Sequence, residues 1–248
     1  MSQNQMTVYE HIDELRKRLL IVVVFLLFAI VISFFLAEPL IRFLQNADEA
    51  KELTMNAFRL TDPLKIYVQV ILFLSLLMTL PVILYQVWSF VSPGLYEKEK
   101  RVTLSYIPIV MLLFVGGLSF SYFILFPFVV DFMLNLSTNL EIEQEIGINE
   151  YFEFLFQMTI PFGFLFQLPV IMLFLTRLGI ITPMLMSKMR VYAYFILFII
   201  AAMITPPDLM SHLLVTVPLF ILYEISLWIC KIGYRKVLIA EQKREMEE

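Results

Sequence analysis

The chain has 248 residues, 60% of them hydrophobic, with 24 Phe and only 16% charged residues. A soluble domain is about a quarter charged, so this composition excludes a water-soluble fold, which could not hide so much apolar surface. The net charge of −4 comes with no basic face, which excludes nucleic-acid binding, and the single cysteine, Cys230, excludes an internal disulfide or a cysteine-based metal site.

Six apolar stretches, at residues 19–37, 64–87, 103–127, 152–175, 192–205 and 209–229, predict an all-α integral membrane protein with six transmembrane helices. Before the first, Val8, Ile12, Leu15 and Leu19 recur at spacings of four, three and four. They form one apolar stripe and predict a short surface helix within residues 1–18 that turns into span one. Glu10, Asp13, Glu14, Lys17 and Arg18 fall mainly on its other side. A plain basic flank accounts equally well for Arg16, Lys17 and Arg18. The N-terminus reads without a cleavable signal, so span one is expected to act as its own insertion signal.

Residues 38–63 read as a long outer loop with short helical pieces, and Asp62-Pro63 as the turn that starts span two. After span two comes Phe90-Val91-Ser92-Pro93-Gly94-Leu95-Tyr96-Glu97-Lys98-Glu99-Lys100-Arg101. On helical spacing Glu97 pairs with Arg101, while Glu99 faces Thr103 and is left as the spare acid. Asp13 with Lys17 and Glu14 with Arg18 are ordinary helix ion pairs at the same spacing.

Pro81, Pro108, Pro161 and Pro169 in spans two to four predict bent helices and a curved wall rather than a straight bundle. Gly116, Gly117, Ser119 and Ser121 give span three a small-residue patch suited to close helix packing. Residues 128–150 form a second outer loop with acidic residues and no basic ones. Span five, at 14 residues or roughly 21 Å, is shorter than the ~30 Å hydrocarbon core. Pro206-Pro207 ends it, Pro218 is expected to interrupt span six, and residues 230–248 form a tail. With both termini cytoplasmic, fourteen of the 18 Lys and Arg lie inside, and the four exceptions all fall within residues 38–65. A bacterial plasma membrane fits this pattern.

The chemistry is sparse. No His, Asp and Glu grouping has metal spacing, no Gly-rich phosphate loop occurs, and neighbouring Ser211 and His212 do not face each other on a helix. No enzyme activity, cofactor or metal is therefore expected. Ionisable groups within the spans default to functional hypotheses; here they are few, chiefly Asp208, Glu224 and Glu153. Glu224 reads as a snorkelling or helix-pairing acid. Gln69, Gln157 and Gln167 are the deeper polar groups and read as donors of interhelical hydrogen bonds.

Four segments resemble one known family. His11-Ile12-Asp13-Glu14-Leu15-Arg16-Lys17-Arg18-Leu19 is similar to its H-x-x-E-L-R-x-R-L opening. The run from Leu80 to Tyr96 is similar to its P-V-I-L-Y-Q-x-W-x-F-x-x-P-x-L signature. Thr205-Pro206-Pro207-Asp208 and Leu222-Tyr223-Glu224-Ile225 resemble two further family segments. The family is TatC, the multispanning receptor subunit of the twin-arginine protein translocase, and the flavour is that of Bacillus-type members.

The resemblance implies binding of precursors whose signal peptides carry two consecutive arginines. It implies hand-over to a TatA-type single-span partner, and transport of folded proteins by the proton-motive force without nucleotide hydrolysis. It implies a concave, glove-like wall with short fifth and sixth spans, and a homo-oligomer within a larger translocase. The signal-peptide acids map to Glu14 and Glu99, with Arg16, Phe90, Pro93 and Leu95 as neighbours. Gln167, Asp208 and Glu224 are further functional polar positions; many members carry Glu where this chain has Gln167. The competing readings are a secondary carrier for a small solute and a membrane scaffold with no substrate. Few midplane charges and no visible internal repeat weigh against the carrier.

Overall fold

The computed structural model describes residues 8–46, 55–91, 104, 106–142, 145–177, 179–206 and 208–245. Among the described residues five helices are long and apolar enough to cross a membrane: Ile12–Gln45, Asp62–Phe90, Tyr106–Asn139, Ile148–Arg177 and Leu209–Arg235. A shorter apolar helix, Arg190–Ile204, stands where span five is expected. The protein is thus an all-α, multi-pass membrane protein. The described residues group into two compact units, one of Met1–Met111 with Glu145–Phe152, the other of Leu112–Gln144 with Glu153–Glu248.

In the first unit, α1 (Val8–Gln45) and α2 (Asp62–Val91) pack along their length. The contact is made by small residues. Ala29, Ser33 and Ala37 recur every four positions on α1 and are 1%, 0% and 0% exposed. Such residues let two helices approach closely, which is the main source of attraction between helices in lipid. Ser33 Oγ lies 3.9 Å from Met78 Sδ, and Tyr67 donates to the Phe34 carbonyl at 2.8 Å. Asp62 begins α2 and accepts from the Arg59 N–H at 2.8 Å, in agreement with the turn read at Asp62-Pro63. A two-residue parallel ladder joins β1 (Met55–Asn56) to β2 (Ile146–Gly147).

Two expectations for this unit are corrected. The amphipathic N-terminal stretch does not turn before span one, because α1 runs unbroken from Val8. Nor does the helix stop at residue 38; it continues through Pro39 to Gln45. An apolar run marks only the part of a helix that needs lipid. The flanks are helical because Asp13–Lys17, Glu14–Arg18 and Glu38–Arg42 pairs one turn apart support them.

The third apolar stretch begins in α3 (Tyr106–Phe120), passes through a π-helical turn (Ser121–Leu125) and continues as α4 (Phe126–Asn139). The π turn closes with Phe126 N–H donating to the Ser121 carbonyl, directly before Pro127, which has no N–H to continue the ladder. Helix thus runs well into the expected loop 128–150.

In the second unit Gly117 lies against the next helix, α5 (Ile148–Leu165), where a Cβ would come within 2.5 Å of the Phe162 carbonyl oxygen. Gly116 has nothing within 4 Å, so only one of the two glycines serves packing. Ser121 Oγ donates to the Met158 carbonyl at 3.2 Å across the same contact. Span four breaks after Leu165 and resumes as α6 (Leu168–Arg177). Pro169 is the cause: its N–H would have bonded the Leu165 carbonyl. Gly179, at φ 72°, terminates α6 with N–H bonds from Ile180 to Leu175 and from Gly179 to Thr176.

Next come α7 (Pro183–Lys188), capped by Thr182, the 15-residue α8 (Arg190–Ile204) and the 37-residue α9 (Leu209–Glu245). The fifth span is short, as expected. The sixth is not, because α9 runs through Pro218 without ending. A proline removes one backbone bond and bends a helix, and within a membrane protein neighbouring groups satisfy what is freed. Helix α9 is the hub of this unit, packing on α6, α7, α8 and α4. Gly233 is pressed to Leu173, Tyr223 donates to the Met186 carbonyl at 2.9 Å, and Cys230 Sγ is buried 2.8 Å from Thr176 Oγ1.

Candidate functional site

Helix α1 carries Glu14, Arg16 and Arg18. Glu14 Oε1 accepts from Arg18 Nε at 3.1 Å and from its Nη2. Arg18 Nη1 reaches on to Gln86 Oε1 at 3.3 Å, tying this end of α1 to α2. The second oxygen, Glu14 Oε2, is buried and has no partner among the described residues. One carboxylate oxygen is thus engaged by Arg18, and the other is enclosed without a partner among the described residues. Arg16 is exposed on the same helix, and Phe90 is half-buried at the end of α2. Pro93, Leu95, Glu97 and Glu99 lie outside the described residues.

Sequence spacing identified the Glu14–Arg18 pair, but it missed Gln86. The usable signal was a polar side chain at the end of an otherwise apolar span, next to the aromatic pair Tyr85 and Trp88.

In the second unit Glu224 is a helix-pairing acid. Arg190, the first residue of α8, places Nε 3.0 Å from Glu224 Oε1 and donates from Nη2 to Oε2 at 3.1 Å. Tyr194, one turn further along α8, donates to Oε1 at 2.5 Å. Arg190 and Tyr194 at i and i+4 share a helix face and clasp one carboxylate. Sequence reading gave Glu224 as a snorkelling or helix-pairing acid but missed Arg190 and Tyr194 as its partners. Tyr194 also stacks on Phe220, with ring centroids 4.4 Å apart.

Asp208 caps α9: its Oδ1 accepts from the Ser211 N–H at 2.7 Å, and the His212 N–H bonds its carbonyl at 3.2 Å. The His212 ring sits edge-on to Phe198 at 4.3 Å. Gln157 makes the expected interhelical bond, donating to the Met203 carbonyl at 3.1 Å. Gln167 does not. It is buried at the break between α5 and α6 and donates to Gly163 of its own segment at 3.1 Å, leaving Oε1 without a partner among the described residues. The broken turn exposes local carbonyls, and the nearest one takes the amide. No group of three His, Cys, Asp or Glu side chains able to hold a metal occurs among the described residues.

The sequence model of a family described as Sec-independent protein translocase protein (TatC) matches residues 10–218. The Sec-independent protein translocase protein TatCy of Bacillus subtilis (strain 168) is 64% identical over 236 residues, which cover 95% of this chain and 93% of that one. The TatC protein of Halalkalibacterium halodurans is 54% identical over 247 residues, covering 100% and 98%. A crystal structure of the twin arginine translocase receptor TatC matches with a TM-score of 0.80 at 33% identity, over 90% of this chain and 99% of that one.

Proposed function

The chain belongs to the TatC family of Sec-independent protein translocase proteins, and from that premise we propose that it is the receptor for twin-arginine signal peptides. The observation that carries the reading is the similarity, over 90% of the chain, to a solved twin arginine translocase receptor. As a family member the chain is a multi-pass component of protein translocation.

In the proposed mechanism Glu14 and Glu99 receive the two arginines. A guanidinium binds a carboxylate through parallel N–H bonds, which an ammonium cannot reproduce, and this explains a requirement for Arg over Lys. The Glu14 Oε2 that lacks a partner among the described residues supports the assignment, because a buried carboxylate oxygen is costly to leave unpaired. So does Arg18, which holds the carboxylate in place from one side. Arg16, Phe90, Pro93 and Leu95 border the cradle. Both termini lie in the cytoplasm of a bacterial cell, which puts the cradle on the side where precursors are made.

The receptor assembles as a homo-oligomer within a larger complex and passes precursors to a TatA-type single-span partner. The proton-motive force drives the step, with no nucleotide and no cofactor. Gln167, Asp208 and Glu224 serve as polar positions in the membrane, and Gln167 acts as a neutral hydrogen-bonding group rather than an acid.

The test is binding of a twin-arginine signal peptide to the purified protein in detergent. An Arg-Arg peptide should bind, its Lys-Lys version should not, and Glu99→Gln or Glu14→Gln should lose binding. Charge-assisted hydrogen bonds of ~1.5–3 kcal/mol correspond to a loss of roughly tenfold to a hundredfold per acid. Glu97→Gln should cost less than Glu99→Gln. Equal losses from Glu97 and Glu99 would refute the specific site, and binding insensitive to every change would refute the receptor reading.

A further inference from the structure

Helices α8 and α9 leave an open slot of about 410 Å³ lined by Tyr194, Phe220, Ile221, Glu224, Ile225 and Trp228. Its wall is apolar and aromatic. Its one carboxylate is already engaged by Arg190 and Tyr194, so the slot presents no unpaired negative charge from that residue. Ile221, Ile225 and Trp228 stand 55%, 45% and 64% exposed, an apolar surface that suits an apolar occupant. The slot extends along α9 from Phe220 to Trp228, roughly 12 Å at ~1.5 Å per residue. A helix ~10–12 Å across and of that length fills roughly two to three times the slot's volume. A single acyl chain is narrow enough to lie in it.

The stripe that carries Glu224 and Trp228 continues along α9 to Lys231 and Arg235, seven and eleven residues after Glu224, and both are exposed. Along one face there is therefore an apolar slot, then an indole, then two cations. Tryptophan favours the headgroup level, and clustered Lys and Arg beyond it attract anionic headgroups. We propose that this slot binds one anionic phospholipid, with an acyl chain along Ile221 and Ile225 and its phosphate at Lys231 and Arg235. The inference rests on the membrane-spanning fold alone and is independent of signal-peptide recognition.

The experiment uses the full chain in detergent with phosphatidylglycerol or phosphatidylcholine, each brominated along its acyl chains. Trp228 is the reporter, with the other tryptophan removed by Trp88→Phe. Phosphatidylglycerol should quench Trp228 at about thirtyfold lower lipid fraction than phosphatidylcholine, as expected for two basic residues at a membrane surface. Lys231→Gln with Arg235→Gln should abolish that preference and leave quenching by phosphatidylcholine unchanged. Native mass spectrometry of the unaltered protein gives a second readout: one phosphatidylglycerol retained, and lost in the double variant. Equal quenching by both lipids, or a preference that survives the charge removal, would overturn the proposal. Release of the lipid by glycerol phosphate alone would reduce the site to a phosphate site and overturn it. Displacement by a single-span apolar helical peptide would assign the slot to a protein partner and overturn it also.

Discussion

Gly117→Ala should destabilise the protein while the adjacent Gly116→Ala does not. At Gly117 a Cβ would lie 2.5 Å from the Phe162 carbonyl oxygen and 2.9 Å from the Phe166 Cβ. Ordinary contacts begin near 3.5 Å, so the two helices must part locally by about 1 Å. The obstacle is backbone, which cannot swing aside as a side chain can. Parting also stretches the bond from Ser121 to the Met158 carbonyl, which is 3.2 Å long and one helical turn away. Overpacking of this kind costs ~1–3 kcal/mol, and an interhelical hydrogen bond in a membrane protein contributes ~0.6 kcal/mol. A combined loss of about 2 kcal/mol is roughly a thirtyfold shift in the folding equilibrium. At Gly116 the added methyl meets nothing within 4 Å, and Ala in a helix is favoured over Gly by up to ~1 kcal/mol. The two variants should therefore move in opposite directions in an SDS-titration or thermal unfolding assay of the detergent-solubilised protein. If they shift together, or if Gly117→Ala is neutral, the close helix contact is wrong.

Arg190→Gln removes the cation facing Glu224 and should destabilise the α8–α9 pair, with Arg190→Lys recovering only part of the loss because it lacks the planar fork; a double-mutant cycle with Glu224→Gln should show coupling, and strict additivity would argue against the clasp. Asp208→Ala should cost ~0.5–2 kcal/mol by removing the cap of α9, and Asp208→Asn should keep most of the stability. Protein export by an Asp208→Asn variant that folds normally then reads the carboxylate separately from the cap. Gln157→Leu should lose about 0.6 kcal/mol, the usual size of an interhelical bond in lipid, and a larger loss in the same unfolding assay would mean that Gln157 holds more than the Met203 carbonyl.

Much of the fold was legible because lipid imposes a simple rule: a backbone that crosses it must satisfy its own polar groups, and an apolar run long enough to cross becomes a helix. The described residues of all six stretches are helical, apart from the turn at Phe166-Gln167 and the bend at Thr205. Their ends were not legible, because hydropathy reports the lipid-embedded part and is silent on a polar continuation. Gln45, Asn139 and the α9 tail lie beyond the apolar boundaries yet remain in helix. Proline was read too uniformly. Pro169 breaks span four, while Pro39 and Pro218 sit inside continuous helices. The ring removes one bond in every case, and the surroundings decide whether the helix stops.

The sequence by itself determined the membrane class, the number of apolar segments and the local pairs set by helical spacing, such as Glu14 with Arg18. Each depends on composition or on residues within one turn. Only the tertiary structure decided that Arg18 reaches Gln86, that Arg190 and Tyr194 clasp Glu224, and that Ala29, Ser33 and Ala37 form the seam of α1 against α2. In lipid every apolar face is equally content, so hydrophobicity selects no particular neighbour. Which helices touch is settled by small residues that permit close approach and by polar groups that need a partner, and those join residues far apart in the chain.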